Sequence, residues 1–223
     1  MNSFAEQRKR LVDKLVKRGY LKSPPLIKAM MEIPRHEFVP DSRKKQSYID
    51  SPIRTFDGQT ISAPHMNAMM CESLELKPGQ KVLEVGTGSG YHAALCAKIV
   101  SEPGDDGTIG HVFTIERNEK LAQFARQNIQ KLNLKDYVTI VCKDGTLGYE
   151  EESPYDRILV TAAGPKIPPP LIEQLGIGGK ICIPVGQERH SQRLYLAEKT
   201  PTGIKKKSIC GVIFVPLIGK EGF

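Results

Sequence analysis

The sequence predicts an α/β protein with a doubly wound, mostly parallel sheet, preceded by a helical cap and completed by an antiparallel C-terminal strand. Two observations predict this class. From residue 81 onward, short β-branched segments alternate with segments of helical apolar spacing, which is typical of a parallel sheet covered by helices on both faces. A glycine-rich turn follows the first β-branched segment, where a strand gives way to a helix.

The length of 223 residues suffices for one domain with a full hydrophobic core. We divide this domain into residues 1–75, a helical cap with a substrate loop, and residues 76–223, a cofactor-binding core with a C-terminal strand pair. The composition, 39% hydrophobic and 26% charged, excludes disordered and collagen-like classes. Apolar stretches are too short to cross a bilayer, and the N-terminus is charged, so we expect a cytoplasmic protein with no membrane partner. We also expect a monomer.

The net charge of +7 resides in the first 48 residues. Residues 1–48 contain twelve Lys and Arg against five Asp and Glu, a surplus of seven, which leaves twenty of each for the rest of the chain. A basic face can attract nucleic acid, but no nucleic-acid-binding module accompanies it. A solvated helix surface is the favoured interpretation, and we expect no nucleic-acid partner.

The five cysteines are widely spaced and form no CxxC pair, so they predict neither a disulfide framework nor a metal site. Their neighbours are mostly apolar, and we expect buried, reduced thiols that pack as small hydrophobic groups. These cysteines are Cys71, Cys96, Cys142, Cys182 and Cys210.

The spacing of apolar residues and the positions of prolines predict the elements of the cap. They are a helix over residues 4–17, a short helix from residue 23 to residue 34, an extended loop over residues 52–64 with one strand at 59–62, and a helix over residues 66–74.

The core is predicted in the same way. Strands are expected over residues 81–85, 111–115, 137–142, 156–160 and 180–184, and helices over residues 91–100, 119–132 and 170–175. Two further segments, 193–198 and 208–215, are joined across the turn at 200–203, and this hairpin makes at least one strand antiparallel.

The turn at residues 86–90 has glycine at alternate positions. Gly86 permits a tight turn, Gly88 lets a ligand approach the backbone, and Gly90 opens the following helix. The GxGxxG fingerprint of dinucleotide-binding proteins would need glycine at position 91, where this sequence has Tyr91. The GxSxG pattern of serine hydrolases is also absent around Ser89. The pattern ExGxGxG, which begins at Glu84, resembles motif I of S-adenosylmethionine-dependent methyltransferases.

Acidic residues follow the next two predicted strands. Glu116 is suited to accept hydrogen bonds from both hydroxyls of a ribose, and Asp144 to meet an adenine amino group. The alternatives are a helix-start carboxylate for Glu116 and a turn residue in Asp-Gly for Asp144.

Several spaced blocks make the resemblance specific. The block TISAPHM at residues 60–66, then DGTLGY at 144–149 with SPYD at 153–156, and finally PLIEQL, PVG and GVIFVPL are similar to the protein-L-isoaspartate O-methyltransferase family along essentially the whole chain. Lys143 departs from the family, which usually has a small residue there. The resemblance implies a class I, Rossmann-like methyltransferase fold with S-adenosylmethionine as cofactor.

The resemblance also implies the reaction and its residues. The methyl group would pass to the free carboxylate of L-isoaspartyl, and also D-aspartyl, residues in damaged proteins, as a repair reaction. The implied cofactor-binding residues are Thr60, Ile61, Glu84, Gly86, Gly88, Gly90, Glu116, Arg117, Asp144 and Gly145. The implied catalytic residue is Ser62, and the implied substrate-binding residues are His65, Gly211, Val212, Ile213 and Val215.

Local sequence leaves alternatives open at two of these positions. Ser62 precedes a predicted helix and could cap it, and His65 could be a partly buried structural histidine. For the whole chain, the alternatives are a methyltransferase of RNA or a small molecule, and a nonenzymatic nucleic-acid-binding protein. An amine methyltransferase would carry an NPP[YF] block after its fourth strand, whereas this sequence has TAAGP at residues 161–165.

Overall fold

The computed structural model describes residues 3–223, which form a seven-stranded sheet, a small hairpin and six α-helices. The cap contains α1 (Phe4–Lys17), α2 (Pro24–Glu32), β1 (Ile53–Arg54), β2 (Thr60–Ile61) and α3 (Pro64–Leu74). The core contains β3 (Lys81–Val85), α4 (Tyr91–Val100), β4 (His111–Glu116), α5 (Glu119–Lys131), β5 (Val138–Cys142), β6 (Tyr155–Val160), α6 (Pro169–Glu173), β7 (Leu175–Gln187), β8 (His190–Thr200) and β9 (Gly203–Val212).

Helix α1 has the predicted bounds because its sequence carries both a start signal and an apolar stripe. The hydroxyl of Ser3 accepts the Glu6 N–H at 3.2 Å, and the Glu6 carboxylate accepts the Ser3 N–H at 2.9 Å. This reciprocal capping box satisfies two backbone donors at the helix start. Leu11 and Leu15, one turn apart, are both buried, and they attach the helix to the core.

The sheet has the strand order β5-β4-β3-β6-β7-β8-β9. The first five strands in this order, β5, β4, β3, β6 and β7, are parallel to one another. Strand β8 pairs antiparallel with β7, and β9 pairs antiparallel with β8, which confirms the predicted class. The chain proceeds outward from β3 to β4 and β5, and then returns to the other side of β3 with β6. The carboxyl ends of β3, β4 and β6 therefore surround a topological switch point, where ligands bind in open α/β sheets.

Buried apolar side chains form one cluster on each face of the sheet. On β3, Val82 belongs to the cluster beneath α1 to α4, whereas Leu83 and Val85 belong to the cluster on the opposite face. Leu83 and Val85 share a face because successive strand side chains point in opposite directions. Leu15 and Met30 of the cap lie in the same cluster as Val82. The division into residues 1–75 and 76–223 stays a prediction.

Several predicted bounds are wrong. The loop at residues 52–64 contains a hairpin of two strands rather than one, and α3 begins at Pro64 with Ala63, not Ser62, as its N-cap. Strand β7 has 13 residues, far more than predicted, because both ends continue the ladder with β6 and β8. Strand β9 ends at Val212, since the Phe214 N–H turns away to the Gln192 side chain at 2.6 Å.

The cysteines match their prediction only in part. Cys71, Cys96 and Cys182 are buried free thiols. Cys142 is exposed, because it ends strand β5 at the rim of the sheet, and Cys210 is half-buried on the edge strand β9. In the part of the chain that the structure describes, no helix is long and apolar enough to span a bilayer.

Candidate active site

A cavity of about 520 Å³ opens at the switch point, within the size range of small-molecule sites. Each of the three central strands contributes residues at its carboxyl end: Val85 and Gly86 at the end of β3, Glu116 and Arg117 at the end of β4, and Thr161 directly after β6. Further residues come from connecting loops and the C-terminal segment. They are Asp57, Gly58, Gln59, Thr60, Gly88, Asn118, Gly145, Glu188, Arg189 and Val215 to Ile218.

The glycine turn leaves its backbone open to this cavity. Gly86 has φ +95° and lies against the Thr161 hydroxyl, which donates to the Gly86 carbonyl at 2.7 Å, so no β-carbon fits there. Gly88 has φ +54°, and a β-carbon added there would meet no atom within 4 Å. A ligand can therefore reach the backbone at Gly88, as the sequence predicts. Gly90 is the N-cap of α4, as predicted, and it does not line this cavity.

Glu116 lies at the base of the cavity and is 7% exposed. Its two carboxylate oxygens accept one backbone N–H each, from Gly88 at 2.9 Å and from Asn118 at 3.0 Å. A carboxylate oxygen has a second lone-pair site, so acceptor capacity remains on both oxygens. Asn118 itself caps α5, and it accepts the Lys120 and Leu121 N–H groups. Helix capping therefore falls to Asn118, and Glu116 connects the glycine turn to the end of β4.

A second, smaller recess of about 30 Å³ adjoins the cavity and shares Thr60, Gly86, Gly88 and Thr161 with it. Its size fits one water molecule or one small polar group. The other lining residues are Ile61, Ser62, Asn67, Glu84, Thr87, Ser89, Tyr91 and His92.

Glu84 is the most unusual group in the recess because it is fully buried and only partly hydrogen-bonded. Its Oε2 accepts the Thr114 hydroxyl at 2.5 Å, whereas Oε1 has no hydrogen-bond partner. Burial raises the pKa of Glu84 to about 8, because the charged form loses its hydration. An unsatisfied buried carboxyl oxygen favours a polar ligand group in the recess.

Ser62 lines the recess and does not cap a helix. The N–H of His65, in the first turn of α3, binds Asp50 Oδ1 at 2.9 Å, so Asp50 takes the capping role that the sequence allowed for Ser62. Among residues 3–223, the Ser62 hydroxyl has no hydrogen-bond partner. The Ser62 carbonyl, by contrast, accepts a guanidinium N–H of Arg35 at 2.6 Å.

His65 lies in the first turn of α3, three residues after Ser62, but lines neither the cavity nor the recess. Its Nδ1 is 2.8 Å from Asp50 Oδ1, and its ring lies 5.5 Å from the Tyr20 ring. These contacts fit the structural interpretation of this histidine, and its role in substrate binding stays a prediction.

Asp144 turns its carboxylate toward the C-terminal segment. Oδ1 accepts the N–H and the hydroxyl of Thr146, at 2.9 and 2.7 Å, and Oδ2 accepts the Lys220 N–H at 2.8 Å. Burial raises the pKa of Asp144, but these hydrogen bonds outweigh burial and leave the pKa below its ordinary value. Asp144 lines neither cavity, whereas its neighbour Gly145 does line the larger one. Its contact with adenine stays a prediction.

The segment around residues 211–215 passes from the sheet edge into the cavity wall. Gly211 and Val212 pair with Arg193 and Gln192 of β8. Ile213 is 78% exposed, while Val215 lines the cavity. The other side of β9 has no partner strand among residues 3–223.

The structure thus brings together Thr60, Gly86, Gly88, Glu116, Arg117, Gly145 and Val215 around the larger cavity, and Ile61, Ser62 and Glu84 around the recess. Sequence reasoning missed Thr161, although it follows β6 and the switch-point rule would find it. Arg189 and Ile218 carried no signal, since they reach the cavity from segments that are distant in sequence from the three central strands. No three His, Cys, Asp or Glu side chains of residues 3–223 group closely enough to hold a metal ion.

Comparison with known proteins gives one consistent result. The family model described as protein-L-isoaspartate (D-aspartate) O-methyltransferase matches residues 6–222. A protein-L-isoaspartate O-methyltransferase of Hyperthermus butylicus is 51% identical over 99% of this chain and 92% of that protein. One of Methanopyrus kandleri is 51% identical over 99% of this chain and 95% of that protein.

Solved structures agree with these relatives. A protein-L-isoaspartate O-methyltransferase structure superposes with a TM-score of 0.84 at 31% identity, covering 96% of this chain and 67% of that one. A structure from Plasmodium falciparum, described as an enzyme of the same kind in complex with S-adenosyl-L-homocysteine, gives 0.81 at 32% identity, covering 95% and 98%.

Proposed function

This chain belongs to the protein-L-isoaspartate (D-aspartate) O-methyltransferase family, and from that membership we propose how its residues perform methyl transfer. The enzyme moves a methyl group from S-adenosylmethionine to the free carboxylate of L-isoaspartyl residues in damaged proteins. The observation that carries the proposal for the site is that the recess with Ser62 adjoins the cavity with Gly88 and Glu116. Cofactor and substrate carboxylate can therefore meet.

The larger cavity suits the cofactor in shape and chemistry. Gly88 offers bare backbone, and Glu116 offers free acceptor sites for the ribose hydroxyls. Glu84, with its unsatisfied oxygen, suits a polar group of the amino-acid part. When bound, the cofactor supplies a methyl group activated by a sulfonium centre.

The chain has little proton chemistry to perform. A carboxylate with a pKa of about 4 is already ionised at neutral pH, so the substrate attacks without a general base. Orientation then supplies most of the acceleration. The free Ser62 hydroxyl donates a hydrogen bond to the substrate carboxylate and holds it in line, while His65, fixed by Asp50, shapes the surface beside it.

The peptide around the damaged residue binds along the edge of the sheet. Gly211, Val212, Ile213 and Val215 offer backbone groups at the unpaired side of β9 and beyond its end. A peptide that adds as a strand is bound through main-chain hydrogen bonds rather than through its side chains, which suits substrates of many sequences. Methylation of D-aspartyl residues is a finer part of the proposal, supported by the family description.

The same proposal makes the protein a cytoplasmic monomer that needs neither nucleic acid nor a membrane. Its five free cysteines are compatible with a reducing compartment. The alternative, a methyltransferase of RNA or a small molecule, is not favoured, because the relatives act on isoaspartyl residues according to their names.

Ser62→Ala tests the site directly. We expect kcat for an isoaspartyl peptide to fall while affinity for S-adenosylhomocysteine stays nearly unchanged, because the hydroxyl serves the substrate. Ser73→Ala is the matched control, since the Ser73 hydroxyl binds the Met69 carbonyl within α3. Normal turnover of Ser62→Ala, measured well below its melting temperature, would remove Ser62 from the catalytic site.

A further inference from the structure

Arg35 is a fully buried cation whose hydrogen bonds go to neutral oxygen atoms. It begins a 3-10 helix, Arg35–Phe38, and its side chain is 0% exposed. No acidic group among residues 3–223 lies within ion-pair distance of it. Burial lowers the pKa of Arg35 to about 10, so the side chain remains charged at neutral pH. Burying an unpaired charge is costly, so its retention calls for a specific role.

The guanidinium joins three separate segments. Nη2 donates to the Ser62 carbonyl at 2.6 Å, Nε to the Ser47 carbonyl at 2.9 Å, and Nη1 to Asn67 Oδ1 at 3.0 Å. Its carbon lies 4.8 Å from the centre of the Tyr91 ring, the first residue of α4 after the glycine turn. The Asn67 amide nitrogen lies 3.1 Å from His92 Nε2. One side chain thus ties the loop with Ser62 to the helix that begins at the cofactor cavity.

We propose that Arg35 is a positioning residue for methyl transfer, which fixes the Ser62 carbonyl so that the Ser62 hydroxyl stays in the recess. The inference rests on the proposed function of Ser62. Arg35 itself lines neither cavity, so it acts only through the groups that it contacts. The three hydrogen bonds leave in different directions from a planar group, and the single ammonium of lysine cannot reproduce them.

Two substitutions test the role. Arg35→Ala and Arg35→Lys are expected to lower kcat about tenfold to a hundredfold, since a shift near 1 Å has such effects on orientation-dependent steps. Affinity for S-adenosylhomocysteine is expected to change less than about threefold, because no Arg35 atom faces the cofactor. Millimolar guanidinium is expected to restore part of the kcat of Arg35→Ala at a temperature where the variant is already fully folded, so that the recovery reports positioning rather than folding.

Arg157→Ala is the matched control. Arg157 is another buried arginine that binds carbonyls, those of Leu74 at 2.5 Å and Asp156 at 2.8 Å, and it lies in the first half of β6. We expect this variant to lose stability but keep its kcat.

The outcomes separate this inference from the proposed function. An unchanged kcat in folded Arg35 variants would overturn the role of Arg35 alone. The same holds if Arg157→Ala loses as much kcat as Arg35→Ala and guanidinium does not rescue Arg35→Ala. If Arg35→Ala does not fold, the kcat of Arg35→Lys decides. If the wild-type enzyme fails to methylate an isoaspartyl peptide, both the proposed function and the role of Arg35 are overturned.

Discussion

Replacement of Glu116 by alanine is expected to weaken S-adenosylhomocysteine binding about tenfold to a hundredfold. The carboxylate is 7% exposed, lines the cavity, and keeps free acceptor sites on both oxygens. A hydrogen bond to a charged group contributes about 1.5–3 kcal/mol. Since about 1.4 kcal/mol corresponds to a factor of ten, the loss of affinity follows.

The same substitution removes the acceptor of the Gly88 and Asn118 N–H groups. We therefore expect the free protein to lose about 1–3 kcal/mol of stability as well. Calorimetric titration at a temperature where the variant is fully folded separates the two effects. Glu119→Ala is the control, because Glu119 is 66% exposed and pairs with Arg126 at 3.0 Å on the surface of α5. Unchanged affinity of the Glu116 variant would refute the ribose assignment.

Two further predictions concern the turn and the buried acid. Gly86→Ala places a β-carbon at φ +95° against Thr161, so we expect a stability loss of about 1–2 kcal/mol and weaker cofactor binding. Urea unfolding measures the stability, and calorimetric titration measures the affinity. Gly178→Ala is the control, because Gly178 has φ +78° and a β-carbon there would meet no atom within 4 Å, so the affinity should not change. Burial raises the pKa of Glu84 from 4.5 to about 8, so between these values the folded state holds a proton that the unfolded state has lost. The free energy of unfolding should therefore fall as pH rises through this window, and Glu84→Gln should flatten the slope in denaturant titrations; an equal slope in both proteins would contradict the buried, protonated state.

The parts of the site that depend on local sequence were predictable. The glycine turn and Glu116 follow directly from strands whose β-branched residues mark them, and parallel strands bring their carboxyl ends to one edge. The helix bounds of α4 follow from Gly90 and the apolar run after it.

The rest depends on contacts between distant segments. Arg35 reaches Ser62 across 27 positions of the chain, and Lys220 reaches Asp144 across 76. Neither pairing has a local pattern, because the partners are backbone groups that every residue carries. The same reason explains why Asp50, rather than Ser62, satisfies the start of α3.

Methylation of two peptides that differ only in one linkage tests the central claim most directly. One peptide carries an L-isoaspartyl residue, and its twin carries normal aspartate with the same flanking residues. If the main chain lies along β9 as proposed, the side-chain carboxylate of the normal peptide is displaced from Ser62, and a misplacement of about 1 Å costs roughly a hundredfold. With S-adenosylmethionine, we predict methylation of the isoaspartyl peptide and none detectable of its twin. Equal methylation of both peptides would contradict the account.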